Sequence, residues 1–311
     1  MNSIITQFKP SSYLHPRYWA TWLGIGLMRL VAMMPFAVQL FIGRRIGDLM
    51  RLLSPGRRQV ARINLELCFP ELDAGARQKL LRRSFQSAGI SLTESALSWW
   101  GSEARLRRLY RLEGIEYLND ALQQGKGALL LGAHYTTLEI SGRFLAFHTQ
   151  DLQPIYKPAR NILFNAVMVN SRRRLFDDLL LNRDMRTIIR NLKNNKVIWY
   201  APDQDFRRAQ TVFAPFMGIA AASLTMTSRL AKVSGAPVLP YYSQRLPGSQ
   251  GYLIRLMPPL RDFPSGDDVA DMTRINQAIE QQVRAAPEQY LWLHRRFKTR
   301  PPGEKELYPP K

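Results

Sequence analysis

The sequence predicts an α/β fold in which a mixed, mostly parallel sheet is flanked by helices. Short, wholly apolar segments at residues 128–131 and 197–200 have the length and composition of strands that are buried on both faces. Amphipathic helical patterns alternate with such strands, and that alternation is typical of a parallel sheet. No internal repeat or low-complexity tract interrupts the pattern.

The first part of the chain is predicted to be a separate helical segment that associates with a membrane. Residues 19–43 are almost continuously apolar, and about 20 such residues are needed to span a bilayer. Arg29 and Pro35 interrupt the run, so the segment either spans with Arg29 snorkelling or buried against protein, or lies in the interface. A buried helix hairpin is the alternative. We divide the chain into a membrane anchor at 1–45 and a main domain at 46–311.

A basic segment follows the apolar run. By the positive-inside rule, its arginines would keep the rest of the chain in the cytoplasm if the segment spans. They are Arg44, Arg45, Arg51, Arg57 and Arg58.

The remaining elements are predicted from capping residues and apolar spacing. Asp73 is the expected N-cap of a long helix, in which apolar residues recur every three or four positions up to Trp99. Residues 135–147 are expected to form a helix directly after the strand at 128–131. Further strands are predicted at 197–200, 238–242 and 252–257, and a last helix around 269–283.

The charge of the chain predicts a polyanionic partner. Lys and Arg total 44 against 24 Asp and Glu, a net charge of +20. Nucleic acid, an anionic membrane, a phosphorylated substrate and an acidic protein all fit that charge. The single cysteine, Cys68, excludes an intramolecular disulfide and a cysteine-rich zinc site. Phosphate-binding P-loop, nucleophile-elbow and dinucleotide-binding motifs are absent, which disfavours ATP hydrolysis, serine esterase chemistry and dinucleotide redox chemistry.

The most informative motif is His134 followed five residues later by Glu139. His134 comes at the C-terminal end of the strand at 128–131, where open α/β sheets place ligand chemistry. We expect His134 to remove a proton from a hydroxyl and Glu139 to hold the imidazole in the useful tautomer. The alternative is a core histidine and a solvated glutamate.

Two further groups of polar residues are candidates for substrate binding. Arg172 and Arg174 follow a predicted helix and offer forks of donors suited to phosphate or carboxylate, with a solvated basic face as the alternative. Asp203 and Asp205 follow the strand at 197–200. They are suited to orienting a basic group or a substrate amide, or to capping a turn.

The C-terminal run at 287–300 mixes aromatic and basic residues, which suits lipid headgroups or single-stranded nucleic acid. His294 lies in this run without an acidic residue at useful spacing, and we interpret it as structural or phosphate-contacting.

Several segments together resemble one known family. They are LHPRYW at 14–19, TWLGIG at 21–26, NLELCFPE at 64–71, the H-x4-E pair with Gly132, WYAPD at 199–203, and PEQYxWxHRRFKTRP at 287–301. The chain is similar in these segments to the late acyltransferases of lipid A biosynthesis, close to the lauroyltransferase branch. The H-x4-D/E motif is shared with glycerolipid acyltransferases.

The resemblance implies a fold like that of the glycerolipid acyltransferases, with residues 46–311 as the acyltransferase domain. It implies an enzyme at the cytoplasmic face of a bacterial inner membrane. The enzyme would move a fatty acyl chain from acyl carrier protein to a hydroxyl on an acyl chain of the Kdo-bearing lipid A precursor. Partners would be acyl carrier protein, an anionic glycolipid and the membrane, not nucleic acid, and no metal or organic cofactor is expected.

The resemblance also implies roles for individual residues. His134 falls on the catalytic base of the family, and Glu139 falls on its partner carboxylate. Arg172 matches a functionally important arginine and Asp203 a recurring aspartate. With Arg174 these two are expected to bind substrate or the oxyanion. The segment after Asn161 lacks the proline expected there, which bears on substrate specificity.

Three alternatives remain at this stage. A related acyltransferase would act on a lysophospholipid or another glycolipid. A membrane-tethered nucleic-acid binder would account for the charge of +20. An inactive paralogue would serve as a scaffold, although the intact His134 and Glu139 pair argues against it.

Overall fold

A seven-stranded mixed sheet with helices around it forms the centre of the protein, which confirms the predicted fold class. The structure, a computed structural model, describes residues 8–205 and 210–309. The strands of the sheet are β1 (Tyr110–Glu113), β2 (Ala128–Leu131), β3 (Leu152–Tyr156), β4 (Leu180–Leu181), β5 (Val197–Tyr200), β8 (Val238–Arg245) and β9 (Tyr252–Leu256). A separate antiparallel hairpin consists of β6 (Thr211–Phe216) and β7 (Ile219–Leu224).

The strand order in the sheet is β1-β9-β8-β2-β5-β3-β4. Neighbouring strands are parallel except for β8 and β9, which are antiparallel. β2 lies in the middle, and all four of its residues are buried. In the parallel pair of β2 and β5, Leu131 lies opposite Tyr200. The chain therefore leaves both strands at the same edge of the sheet and at the same level.

Eleven α-helices are described within 8–205 and 210–309. They are α1 (Trp19–Met33), α2 (Phe36–Leu53), α3 (Pro55–Cys68), α4 (Ala74–Trp100), α5 (Glu103–Leu106), α6 (Ile115–Gln123), α7 (Leu138–Leu145), α8 (Ile162–Arg172), α9 (Met185–Lys193), α10 (Met226–Ser234) and α11 (Asp268–Ala285). Asp73 caps α4 as predicted, because its Oδ1 accepts a hydrogen bond of 2.8 Å from the backbone N–H of Ala76.

The apolar N-terminal run forms two helices, α1 and α2, with Pro35 at the break between them. Both helices pack on α4. Helix α2 approaches α4 closely at Gly89, where an added Cβ would lie 2.2 Å from the carbonyl oxygen of Gly43. The predicted boundary between residues 45 and 46 falls inside α2. Within the described part of the chain, no helix combines the length and the apolar character that crossing a bilayer requires.

Large apolar side chains nevertheless remain exposed along α1 and α2, and we call them the outer apolar face. Its members are Trp19, Leu23, Leu27, Leu30, Met33, Val38, Phe41, Leu49, Leu52 and Leu53. Clusters of exposed large apolar side chains mark interaction sites more often than ordinary protein surface.

The helix after β2 begins three residues later than the sequence predicts. α7 starts at Leu138 and not at residue 135. Tyr135 forms an antiparallel bridge with Tyr290, and the backbone N–H of Thr136 donates to the carbonyl oxygen of Gln289 at 2.8 Å. These long-range bonds hold residues 134–137 as an extended turn, so the helix cannot start earlier.

Candidate active site

His134 and Asp203 come together at the edge of the sheet where β2 and β5 end. The Nδ1 atom of the His134 ring lies 2.7 Å from Oδ1 of Asp203. The backbone N–H of His134 donates to the other carboxylate oxygen at 3.0 Å. Because each residue lies three positions beyond a paired strand end, Leu131 and Tyr200, the strand register places them side by side.

The electrostatics of this pair suit a histidine that works as a base. Burial alone would raise the pKa of Asp203, but the charge of His134 and two hydrogen bonds from it outweigh burial and lower that pKa to about 2. Burial alone would lower the pKa of His134, yet the Asp203 charge and hydrogen bond raise it above 6.5. An ionised carboxylate only accepts hydrogen bonds, so in the neutral ring Nδ1 carries the proton and Nε2 keeps its lone pair.

The expectation that Glu139 orients the His134 ring is wrong in its geometry, because that contact belongs to Asp203. Glu139 lies in the first turn of α7 and binds elsewhere. Its Oε1 accepts hydrogen bonds from Nε of Arg172 at 3.0 Å and from the indole N–H of Trp99 at 2.6 Å. Its Oε2 accepts a second, short hydrogen bond from Nη2 of Arg172. The delayed start of α7 turns Glu139 towards α8 and α4 and away from the ring.

The Glu139–Arg172 ion pair is largely withdrawn from solvent. The exposed fraction is 12% for the Glu139 side chain and 14% for that of Arg172. Burial raises the pKa of a glutamate, but the Arg172 charge and its hydrogen bonds prevail and lower the pKa of Glu139. Both groups therefore remain charged at neutral pH. Their two-pronged contact is the strongest geometry for such a pair, and it ties α7 to α8.

Arg174 is not a member of this ion pair. It is exposed just after the C-terminal end of α8. The substrate-binding roles predicted for Arg172 and Arg174 stay predictions.

Two cavities flank the strand ends. His134 lines a cavity of about 110 Å³ together with Tyr156, Lys157 and Asn182. Glu139 and Arg172 line a smaller one of about 40 Å³. Ile155 and Trp199 belong to both linings, so these two side chains separate the cavities. The His134–Asp203 pair and the Glu139–Arg172 pair therefore lie beside two neighbouring cavities in the same region of the protein.

Gly132 leaves space for the indole of Trp199, which lies between the two cavities. A Cβ added at Gly132 would lie 2.6–2.7 Å from three atoms of the Trp199 indole, and real Cβ atoms essentially never come so close. A glycine two residues before His134 therefore lets the indole lie against the backbone at the end of β2.

The C-terminal aromatic and basic run supports the turn that carries His134. The backbone N–H of Leu291 donates to the carbonyl oxygen of His134 at 3.1 Å. Trp292, Phe297 and Arg296 are buried, with exposed fractions of 2% or less. Much of this run is therefore protein core, and its buried aromatic side chains are not available to stack on bases or to enter lipid headgroups.

His294 and Asp205 hold the loop that bears Asp203. The backbone N–H of Asp205 donates to Nε2 of His294 at 3.1 Å, and the Asp205 carboxylate accepts bonds from the backbone and hydroxyl of Thr299. Burial lowers the pKa of His294 to about 4. This neutral ring accepts a hydrogen bond, which agrees with its structural interpretation. No group of three or more His, Cys, Asp or Glu side chains suited to a metal ion occurs among residues 8–205 and 210–309.

A buried polar network beneath the His134 turn escaped the sequence-based prediction. Arg245 donates to both carboxylate oxygens of Glu94, at 2.6 and 2.7 Å, and to the hydroxyl of Ser87 at 3.0 Å. The Ser87 hydroxyl in turn lies 2.6 Å from that of Thr136. The only sequence signal is a charged residue at an apolar helix position, Glu94 in α4. Through Ser87, the network connects Thr136, in the turn that carries His134, to α4 and β8.

An α/β fold with a carboxylate-paired histidine at the strand ends is typical of enzymes that use a histidine base for group transfer or hydrolysis. Comparison with known proteins identifies the family. The model of the bacterial lipid A biosynthesis acyltransferases matches residues 5–299. This chain belongs to that family and is an acyltransferase, which confirms the resemblance found in the sequence.

Individual relatives cover nearly the whole chain. It is 37% identical over 297 residues to the lipid A biosynthesis palmitoleoyltransferase of Escherichia coli (strain K12), across 95% of this chain and 96% of that protein. It is 36% identical over 299 residues to the lipid A biosynthesis lauroyltransferase of the same strain, across 96% and 97%. A lipid A biosynthesis acyltransferase of Haemophilus influenzae is 33% identical over 304 residues, across 96% of each.

Proposed function

We propose that this enzyme transfers a fatty acyl chain from the thioester of acyl carrier protein to a hydroxyl on an acyl chain of the Kdo-bearing lipid A precursor. The observation that carries the proposal is the His134–Asp203 pair beside a cavity at the strand ends. Family membership supports the reaction class. The net charge of +20 favours both an acidic carrier protein and a phosphorylated glycolipid, since a basic surface speeds encounter with anionic partners.

The proposed reaction is direct transfer between donor and acceptor. Nε2 of His134 removes the proton from the acceptor hydroxyl, and the oxygen forms a bond to the thioester carbonyl carbon. The carbonyl electrons move to oxygen and return as the carbon–sulfur bond breaks. The leaving thiolate takes the proton from Nε2. Asp203 stabilises the imidazolium that exists between the two proton transfers, and it holds the ring through Nδ1.

Glu139 and Arg172 act in this proposal by shaping the site. Their ion pair fixes α7, which begins four residues after His134, against α8. It also fixes Trp99, whose indole donates to Glu139. Nε and Nη2 of Arg172 donate to Glu139, so a direct role at the oxyanion would fall to the remaining N–H donors of the guanidinium.

We further propose that the enzyme works at the cytoplasmic face of the bacterial inner membrane and contacts it through the outer apolar face. Exposed leucines on α1 and the arginines of α2 support this placement: apolar side chains enter the interface, and cations bind anionic headgroups. A lipid acceptor would then be presented at the surface where the enzyme resides.

The test is reconstitution with purified enzyme, lauroyl-acyl carrier protein and separate acceptors. We expect transfer to the Kdo-bearing precursor, and little to lysophospholipid or to a glycolipid without Kdo. His134→Ala should lower the rate roughly 10²–10⁴-fold. A folded His134→Ala protein with full activity, or a preference for lysophospholipid, would contradict the proposal.

A further inference from the structure

A large apolar cavity lies between the N-terminal helices and the rest of the protein, away from His134. We call it the α1 groove. Its volume is about 390 Å³, within the range of small-molecule binding sites. The lining includes Ile25, Met28 and Val31 of α1, with Ile46, Leu92 and Phe164 of α2, α4 and α8.

The chemistry of the α1 groove fits a hydrocarbon chain. None of the eleven lining residues is charged, and the only polar ones are Thr21, Thr93 and Asn161. Asn161 donates to the hydroxyl of Thr21 at 2.9 Å, so these two groups satisfy each other. A peptide or a sugar headgroup would leave its own polar groups without partners in such a site, whereas an alkyl chain would not.

The position of the α1 groove indicates where its occupant comes from. Leu27 lines the groove and is also part of the outer apolar face, with 53% of its surface exposed. The groove therefore opens onto the surface that we propose contacts the membrane. A chain that belongs to a membrane lipid reaches this opening without crossing water.

The α1 groove is linked to the catalytic region by packed side chains but shares no lining residue with the His134 cavity. Phe164 packs against Trp99 with ring centroids 5.7 Å apart, and Trp99 donates to Glu139. The acyl chain of the donor begins at the thioester, which must lie beside His134. A chain in the groove is therefore expected to be attached to the bound substrate at a position other than the thioester.

We propose that the α1 groove binds an acyl chain that the glycolipid acceptor already carries, and not the chain being transferred. This inference rests on the proposed function, because it takes the acceptor to be an acylated glycolipid. It gives α1 a role in acceptor recognition and makes Gly24, which lines the groove, a residue that determines specificity.

Two glycines of α1 provide a matched pair of variants. A Cβ added at Gly24 or at Gly26 meets no atom within 4 Å, so either position accepts a larger side chain. Only Gly24 lines the groove. Leucine favours a helix more than glycine does, so neither Gly24→Leu nor Gly26→Leu should unfold α1. The difference between the two variants therefore reports on the groove.

The kinetic experiment measures KM for the Kdo-bearing precursor and for lauroyl-acyl carrier protein in both variants. Gly24→Leu should raise the acceptor KM on the order of tenfold to fiftyfold, because its side chain displaces two or three methylene groups. The donor KM and the donor chain-length preference should not change, and Gly26→Leu should match the unmodified enzyme. A Gly24→Leu enzyme that behaves like Gly26→Leu, or that instead prefers shorter donors, would overturn the inference.

A binding experiment separates this inference from the proposed function. Each leucine substitution is combined with His134→Ala, and equilibrium binding of the precursor is measured without any donor. Tenfold weaker binding confined to the Gly24→Leu protein supports the groove, whether or not transfer occurs. Equal binding by the two proteins contradicts it. Failure of the proposed function would instead appear as absence of transfer by the unmodified enzyme.

Discussion

Nδ1 of His134 lies 2.7 Å from Oδ1 of Asp203, although 69 residues separate them in the chain. The parallel pairing of β2 and β5 brings them together. The buried Asp203 carboxylate therefore contacts the His134 ring, which lines the cavity. Glu139, only five residues from His134, is committed to Arg172 and Trp99. The two carboxylates therefore have different roles in this account.

Asp203→Asn and Glu139→Gln should accordingly lower activity in different ways. Asp203→Asn removes the charge that stabilises the imidazolium, so kcat should fall roughly 10²–10⁴-fold with the fold intact. Glu139→Gln leaves the Arg172 charge buried without its partner, and its main effect should be lower stability. Steady-state kinetics and urea unfolding of both variants measure these effects. An Asp203→Asn enzyme with normal kcat would refute the assignment.

Gly132→Ala should destabilise the protein by forcing Trp199 from the wall of the site. Overpacking of this kind typically costs about 1–3 kcal/mol, and transfer activity should fall with it. The same change in a Trp199→Leu background should cost much less, because the obstructing indole is gone. Urea unfolding of the four proteins in this cycle checks the coupling. Equal costs in both backgrounds would show that the indole is not the obstacle.

The buried pair beneath the His134 turn should contribute strongly to stability. Glu94→Gln leaves the Arg245 charge without a carboxylate at a site where both side chains are at most 8% exposed, so the free energy of unfolding should fall by about 3–5 kcal/mol. Glu113→Gln breaks a half-exposed pair with Arg255 and serves as the control, with an effect below about 1 kcal/mol. Similar losses for both variants would contradict this view of the network.

Membrane contact should depend on the outer apolar face. Leu23→Glu places a charge on an α1 residue that is 66% exposed, and binding to vesicles containing anionic lipid should weaken by tenfold or more. Val233→Glu in α10 is the matched control, since Val233 is 51% exposed on another helix. Co-sedimentation with vesicles compares them. If both variants bind like the unmodified protein, α1 is not the membrane contact.

Local patterns in the sequence predict much of this fold. The strands at 128–131 and 197–200, the cap at Asp73 and the helix around 269–283 agree with the structure, because the composition, capping residue or spacing that predicts each one is contained within the segment itself. The predicted start of α7 at residue 135 is wrong, since the start depends on bonds from residues 134–137 to Gln289 and Leu291. Such long-range bonds leave no periodic signal in the chain.

His134 was identified as the candidate base by its place at a strand end, but its partner was not. Spacing along the chain favours Glu139, whereas spacing across the sheet selects Asp203. Adjacency of β2 and β5 is the missing information: once these strands are known to pair, the equal offsets from Leu131 and Tyr200 indicate the contact. The segments that contain His134 and Asp203 also match the family motifs. These motifs point to the two residues but do not show that they contact each other.

The pH dependence of kcat/KM in the unmodified enzyme and in Asp203→Asn tests the central claim most directly. His134 must be neutral to accept a proton, and the Asp203 charge raises its pKa, so the acid limb of the unmodified enzyme should lie above pH 6.5. Without that charge, burial lowers the pKa, and the acid limb should move below pH 6.5. An acid limb at the same pH in both proteins would show that Asp203 does not tune the base, and would contradict the account.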